Sequence, residues 1–238
     1  IPPTQFRRRD GRILRYQALV LPNGGRMLTY FDITDLVHEN EYLAALHELG
    51  LRVLGLTWNE ANPFAAGCAL EGEGDSGLTP LGRRLVAEAH RLGLILDLAH
   101  ASPRTLDDAL AAAAGPLLVS HTACRALRDH RRNLSDEQLR RVAGAGGLVG
   151  MTFYPGFLSD VADEHERVTS ARVADHLVHA ASVAGVEAIA IGSDFDGGGG
   201  LAGWNGADDA FNNTLELVKR GYTEDDIRKI WGENLLRV

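Results

Sequence analysis

The sequence predicts an α/β fold: helices packed on a parallel sheet, behind an N-terminal β-hairpin. Three observations carry this. Apolar runs of strand length recur at Leu51 to Thr57, Leu94 to Leu98, Pro116 to Ser120, Gly147 to Phe153 and Val186 to Ile191. Amphipathic helical stretches lie between them, and the connections are short. Near the start, an Asn-Gly turn joins two extended runs. Continuous apolar runs suit strands buried on both faces, and helical crossovers make neighbouring strands parallel. An open doubly wound sheet and a closed (β/α)8 barrel both satisfy the pattern. No G-x-G-x-x-G follows a strand, which disfavours the dinucleotide-binding form of the open sheet.

Each element has its own signal. Ile13 to Val20 and Arg26 to Asp32 flank the turn at Pro22-Asn-Gly-Gly and read as a hairpin. A helix then starts near Asp35 and runs through His47. Thr79-Pro80 is an N-cap followed by proline at the first helical position, with Leu85, Ala89 and Leu92 on one face. Ser102-Pro103 repeats that device. Ser135-Asp-Glu opens the next helix with a capping hydroxyl and an acidic first turn. Helices over Thr169 to Ala184 and Asp208 to Arg220 follow, and Thr223-Glu-Asp-Asp caps a short last one. Gly197 to Gly200 reads as a flexible loop at the rim.

Composition narrows the function. The 238 residues, 45% of them apolar, suffice for a full core. A formal net charge of −8 argues against nucleic acid and against an anionic membrane surface as partners. No apolar run approaches the roughly 20 residues of a membrane span. The N-terminal Ile1-Pro-Pro-Thr-Gln-Phe-Arg-Arg-Arg has no long apolar core after its charges and is not a signal peptide as it stands. The two cysteines, Cys68 and Cys124, are too few for a disulfide framework. They lean toward a reducing compartment, and a cytoplasmic location is expected.

Polar residues sit where chemistry would use them. Asn59, His100, His121 and Asp194 each follow an apolar run, at the C-terminal end of a strand. In a parallel barrel those ends form the active-site face. Two imidazoles from different strands, with carboxylates, suit zinc, and an aspartate at that rim can shuttle a proton. A lone strand-end histidine is more often a hydrogen-bonded structural residue; several such residue types together point to a metal hydrolase.

The residues then carry a specific resemblance. Leu49-Gly-Leu-Arg-Val-Leu-Gly-Leu-Thr-Trp-Asn-Glu-Ala-Asn, Gly77-Leu-Thr-Pro-Leu-Gly, Arg91-Leu-Gly-Leu-Ile-Leu-Asp-Leu-Ala-His, Val119-Ser-His-Thr-Ala, Arg131-Arg-Asn, Gly192-Ser-Asp-Phe-Asp-Gly and Gly232-Glu-Asn-Leu-Leu-Arg-Val occur in the order and spacing of the renal (membrane) dipeptidase family. The stretch from about Leu49 to Val238 resembles that family of zinc metallopeptidases. The resemblance implies a (β/α)8 TIM-barrel-type metal-dependent hydrolase with two zinc ions in the family, acting on dipeptides. It implies that His100 and His121 are ligands of the second zinc. Arg132 would hold the substrate carboxylate, which suits a guanidinium fork. Asp194 would handle the proton, with a zinc-bound hydroxide as nucleophile. Trp58 stands where animal members have a substrate-contacting histidine, and Asn59 adjoins it; both are expected at the substrate.

The resemblance thins toward the N-terminus. No His-x-Asp pair occurs, and Phe31 falls on the family's bridging glutamate, with Asp32 adjacent. Asp32 is a candidate substitute ligand, though a turn or capping role is commoner for such a residue. Residues 8–40, which contain Leu28-Thr-Tyr-Phe-Asp-Ile-Thr-Asp, resemble the last strands of a PAS sensor module. The expected organisation is therefore a PAS-like fragment over 1–40, and over 41–238 a dipeptidase-like barrel lacking its first βα units. Five βα units cannot close an eight-stranded barrel, and open edges favour a homo-oligomer. The expected function is a zinc dipeptidase binding one or two zinc ions. The alternative is a catalytically inactive binding or signalling module.

Overall fold

The computed structural model describes residues 4–7, 13–20, 26–31, 40–70, 72, 74–160 and 168–238, the first three segments and residues 40–42 as backbone alone. The chain divides into two compact units, 1–117 and 118–238. That division follows spatial compactness; the 40/41 boundary expected from sequence follows resemblance.

In the first unit, β1 (Thr4–Arg7), β2 (Ile13–Val20) and β3 (Arg26–Phe31) form an antiparallel sheet in that order. The register pairs Val20 with Arg26 and Arg15 with Phe31, so the expected hairpin is present. β1 is an addition: its four residues, Thr-Gln-Phe-Arg, carry no apolar alternation to announce it. The turn at 21–25, Asp32 and the expected start of the next helix near Asp35 lie outside the described residues. That helix is described as α1 (Asn40–Glu48). β4 (Val53–Gly55) and β5 (Ile95–Asp97) then pair in parallel, Leu54 opposite Leu96. β3 runs near β4 without joining its sheet.

The crossover between β4 and β5 is α2 (Pro80–Arg91), and α3 (Pro103–Ala112) follows β5. Their starts are built as the sequence indicates. Thr79 Oγ1 accepts from Gly82 N at 3.0 Å, and Ser102 Oγ from Thr105 N at 3.0 Å. Each bond satisfies one donor that the first helical turn leaves open, worth about 1 kcal/mol. Asp75 adds a carboxylate at the α3 N-terminus, accepting from Arg104 N at 2.9 Å. Leu85 and Ala89 on α2 and Leu96 on β5 are fully buried.

The second unit repeats the alternation: β6 (Leu117–Thr122), α4 (Asp136–Gly144), β7 (Leu148–Met151), α5 (Pro155–Leu158), α6 (Ser170–Ala184) and β8 (Ile189–Ile191). β6, β7 and β8 are parallel neighbours. All four residues of β7 are buried, as a strand covered on both faces requires. Ser135 and Gln138 close a capping box at α4.

Two spans differ from expectation. Val186–Ala188 is a 3-10 turn, so the strand expected from Val186 begins at Ile189; the Val186 carbonyl is taken by Asn234 Nδ2 at 2.8 Å. The helix expected from Asp208 begins later, as α7 (Phe211–Lys219), because Asp209 instead accepts from Asn205 N and closes a turn. The chain ends in α8 (Glu224–Arg228), a π-helical turn over Lys229–Glu233 and α9 (Asn234–Arg237). Among the described residues no helix is long and apolar enough to cross a membrane.

Candidate active site

In the second unit, the ladder between β6 and β7 slips between Val119 and Thr122. Such a bulge re-aims side chains, and this one contains Ser120 and His121. Two glycines make room for it. A Cβ on Gly150 or Gly192 would lie 2.2 or 2.1 Å from the Ser120 carbonyl oxygen, a distance no side chain tolerates. His121 Nδ1 lies 2.8 Å from Ser120 Oγ, and its Nε2 lies 4.0 Å from Asp194 Oδ2.

Asp194 follows β8 in the left-handed region, at φ 61°. An ordinary residue there is strained by roughly 1–2 kcal/mol. The glycine run expected to be a flexible loop supplies backbone donors that hold this turn: Gly197 N and Gly199 N both donate to Asp194 O, at 3.1 and 2.7 Å. His100, in the first unit, has the other non-glycine left-handed conformation among the described residues, φ 67°. Both left-handed residues are ones that the sequence marks for chemistry, and unusual backbone conformations of this kind collect at functional sites.

Arg132 is 6% exposed. Its Nη2 donates to His121 O at 3.4 Å, and its guanidinium carbon lies 5.3 Å from the Phe157 ring centroid. Thr122 Oγ1 donates to Arg132 O at 2.8 Å, tying the loop back to β6. His130 Nδ1 accepts from Arg132 N. Burial first, then Arg128, Arg131, Arg132 and Arg125, hold that imidazole below its ordinary pKa. In an acidic chain this corner is locally cationic, the environment a carboxylate ligand needs.

In the first unit, His100 Nδ1 lies 2.9 Å from Asn59 Oδ1, and Cys68 Sγ lies 3.1 Å from the same oxygen. Trp58 is 54% exposed, with its ring centroid 6.0 Å from that of His100. The structure thus gathers Trp58, Asn59 and His100 in the first unit and His121, Arg132 and Asp194 in the second. Sequence reasoning missed Ser120, Cys68 and Phe157. Ser120 adjoins a quoted histidine and could have been found; nothing local marks Cys68 or Phe157.

Zinc in a protein site takes three or four donors. Both histidines have Nδ1 engaged by an oxygen atom, the arrangement that orients imidazole ligands. Among the described residues, however, no group of three or more His, Cys, Asp or Glu side chains could hold a metal ion. The described donors by themselves do not fit zinc.

The sequence model of the membrane dipeptidase family, peptidase family M19, matches residues 27–238. The match begins inside the segment 8–40, so residues 27–40 carry two resemblances. An uncharacterized dipeptidase of Schizosaccharomyces pombe is 34% identical over 223 residues, 91% of this chain and 53% of its own length. A second uncharacterized dipeptidase of that yeast is 36% identical over 82% of this chain and 48% of its own. The chain spans about half the length of the curated relatives it matches. Among solved structures, a Rhodobacter sphaeroides metallopeptidase bound to a phosphinate mimic of the dipeptide L-Ala-D-Ala is 32% identical. It superposes with a TM-score of 0.76, over 81% of this chain and 56% of that one. A Pseudomonas aeruginosa amidohydrolase is 29% identical with a TM-score of 0.74, over 84% of this chain and 67% of that one.

Proposed function

This chain belongs to the membrane dipeptidase family, peptidase family M19, and from that premise we propose that it recognises a dipeptide and takes part in its hydrolysis. The observation that carries this is the second unit's strand-end arrangement: a buried, aromatic-backed Arg132, with His121 and Asp194 4.0 Å apart. Arg132 binds the dipeptide's carboxylate. Asp194 takes a proton from the attacking water as its oxygen bonds to the peptide carbon. It returns that proton to the leaving amine as the C–N bond breaks. His100 and His121 are the proposed zinc donors. Hydrolysis would draw on one or two zinc ions, for which the described residues supply too few donors; Asp32, outside the described residues, is the further candidate. A cytoplasmic location and a homo-oligomeric state, like the domain boundary at 40/41, belong to this proposal; the first rests on the buried thiols of Cys68 and Cys124.

A second reading is a catalytically silent dipeptide-binding module, favoured by the shortage of metal donors among the described residues. Zinc content and L-Ala-D-Ala turnover, measured on one sample, separate the two. The first reading predicts at least one zinc per chain and turnover that a chelator removes. Dipeptide binding with neither zinc nor turnover would establish the second.

A further inference from the structure

One residue of the second unit brackets the turn that carries Asp194. Phe153 lies just past β7; its N–H donates to Ser193 O at 3.1 Å, and its carbonyl accepts from Gly200 N at 3.1 Å. These two bonds close the loop 193–200 on both sides of Asp194. Inside the loop, Gly197 N and Gly199 N hold Asp194 O. The carboxylate rests on the same turn, since a Cβ on Gly197 would lie 2.2 Å from Asp194 Oδ1. Moving Phe153 therefore moves the turn, and moving the turn moves the carboxylate.

The Phe153 ring is itself held by aromatic neighbours. Phe195, the residue after Asp194, meets it edge-on with 5.5 Å between ring centroids. The Trp204 ring packs on it at 3.7 Å, and both Phe153 and Trp204 are buried. Trp204 is fixed through its backbone, which exchanges two hydrogen bonds with Leu201, at 2.9 and 3.0 Å. Behind it lies Trp231, 5.9 Å away, whose Nε1 donates to Thr214 Oγ1 on α7 at 3.0 Å. A column of four rings thus runs from the α7 side to the residue beside Asp194, and close-packed rings pass a displacement along.

Proton transfer is sensitive to such displacement: a misplacement of about 1 Å can cost a hundredfold in rate. We propose that Trp204 is a positioning residue for Asp194. Its ring holds Phe153, and Phe153 holds the turn on which the carboxylate rests. The catalytic half of this rests on the reading of Asp194 as the proton carrier; the structural half does not.

The structural half is read by amide hydrogen exchange, resolved by NMR, in the unmodified chain, Trp204→Leu and Trp204→Phe. In Trp204→Leu the Gly197 and Gly199 amides should exchange at least about tenfold faster, with the α6 amides unchanged. Trp204→Phe keeps a ring against Phe153 and should stay within about threefold of the unmodified chain. Unchanged protection of both glycines in Trp204→Leu overturns the inference. The unmodified chain decides even where the leucine variant does not fold. In urea below the unfolding transition, its Gly199 and Trp204 amides should exchange through one common opening. A Gly199 amide that opens while Trp204 stays closed overturns the inference too.

The catalytic half is read by L-Ala-D-Ala turnover. Trp204→Leu should lower kcat about ten- to a hundredfold at unchanged KM, and Trp204→Phe should retain most of it. A raised KM with kcat unchanged would overturn this half. Turnover that survives Asp194→Asn, or a chain with no turnover, removes the reading of Asp194 and this half with it, while the exchange result still stands or falls by itself.

Discussion

The strand ends of the two units are built differently. In the first, the His100 ring meets a neutral amide that also accepts from a thiol, beside an exposed indole. In the second, His121 faces a carboxylate, and its backbone carbonyl receives a buried guanidinium. Both ends carry a histidine, and each has one left-handed non-glycine residue held by backbone hydrogen bonds. They share a way of aiming side chains and differ in charge. The lesson is that similar strand-end geometry is built once around a neutral amide and once around opposite charges.

The largest expected effect lies at the charged end. Asp194→Asn keeps a residue that tolerates the left-handed conformation while removing the proton acceptor. Dipeptide turnover should fall about a hundred- to ten-thousandfold, with an unchanged melting curve. Turnover within about threefold of the unmodified chain would take the proton step away from Asp194.

A third histidine sharpens the contrast, because His176 is in the second unit but serves the core. Its Nδ1 accepts from Cys124 N at 3.0 Å, and its Nε2–H donates to Leu158 O at 3.2 Å. The residue is fully buried. Burial pushes its pKa down to about 4. The unfolded chain then binds a proton that the folded chain refuses, so stability is complete above about pH 6.5 and is lost as pH falls toward 4. The loss is on the order of 3 kcal/mol. Urea midpoints should therefore drop between pH 7.5 and 4.5, and His176→Gln should flatten that dependence. An equal slope in both proteins would assign the acid sensitivity elsewhere.

Smaller effects test the backbone. Gly150→Ala should cost about 1–3 kcal/mol in denaturant unfolding, because the β6 bulge occupies the space its methyl needs. A neutral result would mean that the bulge can relax. At the neutral end, Trp58→Ala should change stability by less than about 0.5 kcal/mol, since the side chain is half exposed. It should raise KM for a dipeptide if the indole packs on substrate. An unchanged KM would leave Trp58 a surface residue.

Much of this was legible in the sequence because it depends on local chemistry. Thr79-Pro80, Ser102-Pro103 and Ser135 announce helix starts through hydroxyls that bond their own first turns. Strand centres were legible from apolar runs, and strand ends placed His100 and Asp194 after β5 and β8, whereas His121, expected just past its strand, lies within the last residues of β6. Strand bounds were less so. The Val186 turn depends on Asn234, 48 residues away. The bond from Cys68 to Asn59 spans 9 residues, and the one from Asn59 to His100 spans 41, so no local pattern encodes either. The left-handed conformation of His100 likewise arises from contacts that the fold assembles.

The most direct test of the account is calorimetric binding of a dipeptide and of its C-terminal amide, to the unmodified chain and to Arg132→Gln. If the charged end recognises the substrate carboxylate, the free acid binds at least about tenfold more tightly than the amide, and Arg132→Gln removes that preference. Equal affinities for acid and amide in the unmodified chain would contradict it.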